Sequence, residues 1–562
     1  MRGGDAAPRS LSWGLAAAYG AAAVAVTWPL ALGPTTRLAG DYGDSLFVAW
    51  VMAWVGDHLW AVLGGDFGAW TAMWQAPIFA PAPDALTFSE HFLAQSVQAL
   101  PVLRLTGSAI AGYNFVFLAT IALTGLAAHQ LTVRLSGHHL AGVVAGLTCT
   151  FSDYRFFWSI VHLHTLSIHW WILALWALDR FVATGRAAAL AGLTLALVLL
   201  HLSSNYLLAY CAPFTVAVAV WSMARHGRLR DPRVWTGLAI AAAASLLVVL
   251  PIAARYLATR EALQVARTAQ EMAGNSASVA AYRGALPWLG PLAALAVVGV
   301  AVGPAGPHGL SRRSRGALLA FAAAAVALSF GPIVTVGATT VTGPYALLSA
   351  AVPGFSGLRV PHRFVAVATV FLSILAGFGA VWLARWRAGL VVVVAVVALS
   401  TRTAWSRPFP IDVPIVSAPL AQPPAYLHPA VFAPPNLPPG VAAPPVYFRV
   451  PPEAVLVELP FGTTAYEVRY TWFTRLHGRR VLNGYSGLLP AGYTARQAAL
   501  ADPTRDPDAA WAALAPATYV LVHGAAWPDD TAGRIATWLE GRGARLVVDA
   551  GDGARLYELP PR

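Results

Sequence analysis

The sequence predicts a polytopic α-helical membrane protein that carries a small α/β domain at its C-terminal end. Hydrophobic residues make up 57% of the chain and charged residues 11%, and the mean hydropathy is +0.60. Soluble globular domains are about one-quarter charged, so the composition excludes that class. Many apolar runs also reach the roughly 20 residues that a helix needs to cross a bilayer. After residue 404, a Pro-rich stretch and then short apolar segments follow.

Apolar runs between polar breaks predict about eleven membrane-spanning helices. They lie near 11–33, 108–133, 138–152, 163–182, 187–201, 205–223, 234–254, 286–304, 316–337, 364–384 and 388–404. The first run could be mistaken for a signal peptide. Its length and the spans that follow it favour a retained first span.

Arginine is concentrated in alternate loops between these spans. The basic loops hold Arg2 and Arg9, Arg134, Arg180 and Arg186, "RHGRLRDPR", "SRRSR", and Arg385 and Arg387. Short basic loops are cytoplasmic in multi-span proteins. This pattern predicts a cytoplasmic N-terminus and an extracytoplasmic C-terminal domain. It also accounts for the formal net charge of +12, so no nucleic-acid partner is expected.

The first outer loop, residues 34–107, is long and partly amphipathic. "SLFVAWVMAWVGDHLWAVL" and "SEHFLAQSVQALPVLRL" carry apolar residues at helical spacing with polar breaks. Such segments are typical of helices that lie along the membrane surface. Asp41 and Asp44 stand directly before the first of them, just outside the first span.

Three regions follow from the composition. Residues 1–404 form the multi-span domain, 405–445 a Pro-rich linker, and 446–562 an extracytoplasmic α/β domain. In the last region, "AVLVELPF", "TYVLVHG" and "ARLVVDAG" are predicted strands, and "DDTAGRIATWLEGRG" is a predicted helix.

Polar and ionisable residues gather at the predicted outer ends of the spans. Besides the two aspartates they are Glu90, His91, Asp153, Tyr154, Arg155, His162, His164, His201, Arg359, His362 and Arg363. Ionisable groups held at a membrane boundary are functional by default. Arg359 and Arg363 are predicted on the outer face, although basic residues are usually enriched on the inner face. A bound anion would explain them, because Arg grips phosphate with two parallel hydrogen bonds.

Each of these residues also has a structural interpretation. Asp44 precedes an apolar helix and could be its N-cap. His162 and His164 could bind a metal, but two histidines without a nearby Cys or acidic motif are weak evidence. No cofactor is therefore predicted firmly, and a divalent cation stays an open alternative. Arg359 and Arg363 could simply extend to the membrane surface.

Taken together, these residue types fit one chemical reaction. A carboxylate base can take the proton of an acceptor hydroxyl while Arg or His stabilises the charge on a departing phosphate. That set describes transfer of a sugar from a lipid phosphate at the outer face of the membrane.

The chain resembles the GT-C superfamily of membrane glycosyltransferases, which use polyprenyl-phosphate-linked sugars. Members have many spans, a long first outer loop with an acidic residue near the end of the first span, surface helices in that loop, and often a periplasmic domain after the spans. The resemblance implies an inverting transferase in the bacterial cytoplasmic membrane. Its catalytic base would be Asp44 or, as second choice, Asp41, its donor a lipid-linked sugar, and its acceptor a glycan, lipid or protein.

More closely, the chain resembles bacterial membrane proteins related to glycosyltransferase family 39. The matching stretches are "GDYGDSLFVAWVMAW", "LTFSEHFLAQ", "SDYRFFWSIVHLHTLSIHWW", "GLRVPHRF", "VLVELPFG" and "VLNGYSGLLP". Arg155, Arg359, His362 and Arg363 are assigned to the donor phosphate, and the other outer polar residues to substrate binding. The acidic pair that is adjacent in several relatives is three residues apart here, which leaves the identity of the base open.

The C-terminal domain adds three candidates. "RYTWFTRLHGRRVLNGYSGLLPAGY" is rich in aromatic and polar groups that suit sugar contact, with His477, Asn483 and Tyr485 as candidates. The alternative is that they pack the core of the small domain. Two other functions stay open: a transporter or lipid flippase, although no repeat is visible, and a non-catalytic envelope protein whose outer domain binds a partner.

Overall fold

The computed structural model describes residues 9–158, 161–264, 267–306, 310–352, 354–414, 443–527, 530–551 and 553–561. Its helices are α1 (Arg9–Val26), α2 (Asp44–Leu63), α3 (Gly68–Ala72), α4 (Leu93–Thr106), α5 (Ala109–Ser136), α6 (His139–Thr150), α7 (Leu163–Leu166), α8 (His169–Thr184), α9 (Ala187–Ser203), α10 (Asn205–Arg225), α11 (Pro232–Ala262), α12 (Ala269–Gly274), α13 (Val279–Val302), α14 (Arg312–Ser329), α15 (Pro344–Ala351), α16 (Phe364–Leu383), α17 (Arg387–Ser406), α18 (Thr464–His477), α19 (Tyr493–Ala501), α20 (Pro507–Ala513) and α21 (Thr531–Gly541). Its strands are β1 (Ile333–Val336), β2 (Thr339–Thr342), β3 (Val455–Leu459), β4 (Arg480–Val481), β5 (Tyr519–His523), β6 (Arg545–Asp549) and β7 (Ala554–Glu558).

The predicted fold class is confirmed: the chain is a multi-pass helical membrane protein with a small C-terminal sheet domain. Within the described residues, eight helical segments are long and apolar enough to cross a membrane. They are Asp44–Leu63, Ala109–Ser136, Leu163–Thr184, Asn205–Arg225, Pro232–Ala262, Ala269–Val302, Pro361–Leu383 and Arg387–Ser406. All but the first coincide with predicted spans. The other predicted spans correspond to α1, α6, α9 and α14, which do not reach the same length and apolar character.

Two segments differ from their sequence predictions in extent or character. The predicted span 316–337 is wrong at its end, since α14 stops at Ser329 and the antiparallel hairpin β1–β2 follows. Gly331 has a positive φ of 77° and Pro332 cannot continue a helix, which explains the stop. The helix α2 has the length and composition of a span; its predicted position on the membrane surface stays a prediction.

The contacts divide the chain into two compact units. Unit 1 comprises residues 1–28, 117–254 and 264–409, and unit 2 comprises residues 29–116, 255–263 and 410–562. Unit 2 thus contains residues 34–107, the predicted first outer loop, and the C-terminal sheet domain. Most of the predicted Pro-rich linker, residues 415–442, lies outside the described residues.

The helix α16 is the centre of unit 1, and every residue of Phe364–Ala380 is buried. Its closest neighbours approach it at glycines. A Cβ on Gly299 of α13 would lie 2.0 Å from the carbonyl oxygen of Leu375, and a Cβ on Gly377 would lie 2.5 Å from that of Ala141 in α6. Small residues let helix backbones pack closely in membranes, so glycine determines how tightly these three helices associate.

Unit 2 contains a five-stranded mixed sheet in the order β4-β3-β5-β7-β6. The strands β4, β3 and β5 are parallel, whereas β7 pairs antiparallel with β5 and β6. The three predicted strands are confirmed as β3, β5 and β6. Functional residues of α/β sheets collect where parallel strands end, and here those ends are followed by the segments that begin at Pro460, Leu482 and Gly524.

Candidate functional site

Asp41 and Asp44 lie at the start of α2 and have different partners. Asp44 is the first helical residue, and Gly43 occupies the N-cap position. The Asp41 Oδ1 accepts hydrogen bonds from the backbone N–H groups of Gly43 (3.1 Å) and Ser45 (3.2 Å). The capping role considered for Asp44 therefore belongs to Asp41. Burial raises the pKa of Asp41 above its usual range, and the charge of Asp44 also raises it.

The Asp44 carboxylate accepts a hydrogen bond from the hydroxyl of Tyr485, with 2.6 Å between Oη and Oδ1. This length falls in the range of about 2.5–2.7 Å expected for a hydroxyl on an ionised carboxylate. The Tyr485 ring also stands edge-on to Phe47 of α2, with 5.3 Å between the ring centroids. Both members of the pair are half-buried. A hydroxyl thus reaches Asp44 at the distance that proton transfer to a general base requires.

Tyr485 follows the end of β4, in a turn that the segment 34–107 contacts. The backbone N–H of Phe79 donates to the carbonyl oxygen of Asn483 at 2.8 Å. A Cβ on Gly484 would lie 2.7 Å from the Phe79 ring, so only glycine fits this position without displacing its neighbours. The turn that carries Tyr485 is therefore fixed against the loop that carries Asp44.

Glu90 and His91 are buried in the segment before α4. The His91 Nδ1 accepts a hydrogen bond from the Leu93 N–H at 3.2 Å. Its ring stands edge-on to Trp74 and Tyr256, with centroid distances of 6.4 and 5.8 Å. The pair belongs to a packed aromatic cluster of unit 2, and its assignment to substrate binding stays a prediction.

His477 and Asn483 are buried in the sheet domain, and their assignment to sugar contact stays a prediction. The His477 ring stacks on Tyr447 at 4.3 Å, and burial lowers its pKa to about 3. Asn483 is fully buried, and its amide bonds to the backbone of Glu458 and to the side chain of Glu467. Of the three candidates in this region, Tyr485 alone takes part in a contact with a predicted catalytic residue.

In unit 1, polar stretches that are far apart in the sequence come into contact. The His164 ring lies 5.6 Å from that of His162 and 6.4 Å from that of Tyr206. The guanidinium of Arg363 lies over the Tyr206 ring, 5.2 Å from its centroid, and Arg363 pairs with no carboxylate among the described residues. Tyr206 was not among the predicted site residues, although it directly follows the polar run "HLSSN".

Tyr154 and His362 extend this cluster, with ring centroids 5.5 Å apart. The neighbouring Asp153 is half-buried; burial raises its pKa, and the charges of Arg402 and Arg407 oppose that shift. Carboxylate, imidazole and guanidinium groups thus accompany the aromatic rings of this region.

Arg155 is held by partners within unit 1, and its assignment to the donor phosphate stays a prediction. The residue is 4% exposed. Its guanidinium donates to the carbonyl oxygens of Thr150 and Leu166, both at 3.1 Å, and to the hydroxyl of Thr124 at 3.3 Å. These bonds stabilise the irregular turn 154–158 and leave the side chain enclosed by unit 1.

The remaining candidates of unit 1 differ in exposure. Arg359 is exposed, next to Val360, whose carbonyl oxygen accepts a hydrogen bond from the Tyr210 hydroxyl at 2.8 Å. His201 is buried near the end of α9. Ser204, which follows α9, caps α10 by accepting the Leu207 N–H at 3.0 Å. Arg359 is exposed and Arg363 half-buried, whereas Arg155 is buried; the assignment of the three residues to an anion stays a prediction.

An apolar groove of about 640 Å³ lies between α6 and α17 in unit 1. Its walls are aliphatic, and Arg402, Trp405 and Ser406 line it near the C-terminal end of α17. A hydrocarbon chain suits the walls and a polar headgroup suits that end.

Within the described residues, no three His, Cys, Asp or Glu side chains come together as metal ligands would.

No protein-family model matches the chain, and no curated protein matches its sequence. The fold is similar to a crystal structure of ArnT from Cupriavidus metallidurans bound to undecaprenyl phosphate, at 14% identity and a TM-score of 0.49, covering 98% of this chain and 99% of that one. It is also similar to a crystal structure of ArnT from Cupriavidus metallidurans in the apo state, at 12% identity and a TM-score of 0.46, covering 99% and 100%. At these values the likeness does not decide the activity of this chain.

Proposed function

We propose that the protein is an inverting glycosyltransferase that moves a sugar from a polyprenyl-phosphate donor to an acceptor hydroxyl at the outer face of the membrane. Asp44 takes the proton of the acceptor hydroxyl as its oxygen attacks the anomeric carbon of the sugar. The bond between that carbon and the phosphate oxygen breaks, and polyprenyl phosphate leaves with the electron pair. Attack from the face opposite the leaving group inverts the anomeric configuration.

The observation that carries this proposal is the hydrogen bond between the Tyr485 hydroxyl and Asp44 at 2.6 Å. A carboxylate that accepts a phenol at this distance can accept a sugar hydroxyl with the same geometry. Asp41 is the weaker candidate, because one of its oxygens already accepts two backbone N–H groups.

Side chains within unit 1 suit a substrate that carries a phosphate and a hydrocarbon chain. The guanidinium carbon of Arg363 lies over Tyr206, 5.2 Å from the ring centroid, and a contact of this kind uses none of the N–H donors that a phosphate would need. The exposed Arg359 and His362 both precede it in the sequence. The aliphatic groove between α6 and α17 supports a lipid substrate, because its walls suit an isoprenoid chain.

The test uses the full-length protein in lipid nanodiscs with a panel of polyprenyl-phosphate sugars and candidate acceptors. Loss of each sugar-lipid is followed by mass spectrometry for the wild type, Asp44→Asn and Asp41→Asn. We expect Asp44→Asn to lose about 10²–10⁴-fold in turnover, the contribution of a general base. Asp41→Asn should stay close to the wild type, because an amide oxygen can accept the same two backbone N–H groups.

The outcomes separate the alternatives. Loss of turnover in Asp41→Asn with activity kept in Asp44→Asn would move the base to Asp41 and keep the class. Absence of both donor binding and turnover in the wild type would refute the transferase, and transport of the same lipids would be measured next.

A further inference from the structure

Glu467 is a fully buried carboxylate on α18 whose side chain binds three N–H donors. Its Oε1 accepts the backbone N–H of Gly462 at 2.6 Å and the amide of Asn483 at 3.0 Å. Its Oε2 accepts the backbone N–H of Gly484 at 2.7 Å. A buried carboxylate is costly unless donors surround it, so these bonds specify where the turn after β4 must lie.

Two of those donors belong to the turn that presents Tyr485. Asn483 and Gly484 immediately precede Tyr485, whose hydroxyl lies on Asp44. The helix that carries Glu467 is itself attached to α2, because α18 packs against α2. Arg475 of α18 donates to Asp57 of α2 with 2.8 Å between Nε and Oδ2. A continuous set of directional bonds therefore runs from α2 through α18 to the turn of Tyr485.

We propose that Glu467 is a positioning residue that holds the Asn483–Tyr485 turn so that the Tyr485 hydroxyl stays on the Asp44 carboxylate. Its effect on turnover rests on the proposed transferase activity, whereas its effect on the position of Tyr485 does not. Glu467 touches neither Asp44 nor the acceptor; it acts through Tyr485 alone.

The chemistry of the three bonds makes glutamine a sharp probe. The three N–H partners require both side-chain oxygens of the ionised Glu467 to accept, and the Tyr493 hydroxyl is a fourth hydrogen-bond partner. In Glu467→Gln, one acceptor becomes an NH₂ group that faces another donor, and at least one bond to the turn is lost. Glu458→Gln is the matched control, since Glu458 is equally buried but its side chain binds Tyr447 and His523 instead of the turn.

The first experiment reads the position of the Tyr485 ring without any substrate. 4-Fluorophenylalanine is placed at position 47, whose ring stands edge-on to Tyr485, and its fluorine resonance is recorded in nanodiscs. Tyr485→Leu defines the resonance without the tyrosine ring. We expect Glu467→Gln to move the resonance towards that value and Glu458→Gln to leave it at the wild-type position. A resonance unchanged in Glu467→Gln but moved in Tyr485→Leu would overturn the proposal.

Glu467→Asp provides a second test in case the glutamine variant does not fold. It keeps the charge but withdraws the carboxylate by one methylene, so it should shift the same resonance by a smaller amount. If both Glu467 variants fold and leave the resonance at the wild-type position, the proposal is wrong.

The second experiment is a double-mutant cycle on turnover. We expect Glu467→Gln to lower turnover about 10-fold in the wild-type background, since small misplacements of reacting groups are costly. The same substitution should change turnover less than about twofold in the Tyr485→Phe background, because the contact it protects is already gone. Equal losses in both backgrounds would refute action through Tyr485. If Glu467→Gln moves the resonance but no protein, including the wild type, shows turnover, the transferase proposal is refuted and the positioning role stands.

Discussion

The polar side chains of unit 1 and unit 2 are held by different kinds of contact. In unit 1, Arg363 lies on the face of an aromatic ring, and the rings of His164 and His362 adjoin Tyr206 and Tyr154. In unit 2, the carboxylates receive directional hydrogen bonds: Asp44 accepts the Tyr485 hydroxyl, and Glu467 accepts three N–H groups.

The difference shows which groups remain able to bind a substrate. A guanidinium on a ring face keeps its N–H donors, because the ring contacts the π-face and the donors point outward in the plane. A carboxylate that already accepts three donors, such as Glu467, can accept few further hydrogen bonds, and its role is structural. Arg155, whose donors go to backbone oxygens, resembles Glu467 in this respect. Binding is therefore expected at Arg363 and Asp44, and structural roles at Arg155 and Glu467.

Among the substitutions that test this comparison, Arg363→Gln should cause the largest loss of activity. Arg363→Gln should lower kcat/KM for the lipid-linked donor by about 10²–10³-fold, the cost of removing one donor to a developing negative charge. Arg363→Lys should recover only part of the loss, because a point charge lacks the planar pair of donors. Kinetics with the donor varied at saturating acceptor measure both.

The comparison variant for Arg363 is Arg359→Gln, which removes the exposed phosphate candidate four residues earlier. We expect its kcat/KM to stay within about 10-fold of the wild type, as for a charge screened by solvent. A larger loss in Arg359→Gln than in Arg363→Gln would transfer the phosphate role to Arg359 and show that contact with a ring does not mark the binding arginine.

Substitution of Arg155 should lower the stability of the protein and leave its affinity for the donor unchanged. Arg155→Leu leaves the buried carbonyl oxygens of Thr150 and Leu166 without their donor, at about 1–3 kcal/mol in the free energy of unfolding. Thermal unfolding of the protein in nanodiscs measures this loss, and donor affinity per folded molecule should not change. Unchanged unfolding together with weaker donor binding would restore the phosphate role that the sequence suggested.

Much of the fold could be predicted because it depends on local composition. Long apolar helices follow from runs of hydrophobic residues, and the strands β3 and β5 from short β-branched segments between breaks. The prominence of Asp44 followed from its place beside an apolar helix. Tyr485 was singled out for sugar contact, and its bond to a residue 441 positions earlier could not be deduced from either stretch alone.

The roles of Arg155, Asn483 and Glu467 depend on which backbone groups the folded chain places around them. A guanidinium in "SDYRFF" has the same sequence appearance whether it meets a phosphate or two carbonyl oxygens. Glu467 carried no motif at all, although a lone acid in the aromatic stretch "AYEVRYTWF" is a hint of a buried, bonded carboxylate. Such residues are recognised only when the donors around them are known.

The smallest expected effect is on the pH dependence of stability, which tests whether Glu467 has the structural role that its contacts indicate. Burial raises the pKa of Glu467 to about 7, above its value of about 4.3 in an unfolded chain. Between these values the folded protein holds a proton that the unfolded chain has lost, so the stabilisation is complete below about pH 4 and is lost as the pH rises through 7. The unfolding temperature should therefore fall between pH 5 and pH 8 by a few degrees more in the wild type than in Glu467→Gln, with Glu458→Gln measured in parallel. An equal pH dependence in the wild type and Glu467→Gln would mean that Glu467 stays ionised throughout, held by its three donors more strongly than burial opposes it.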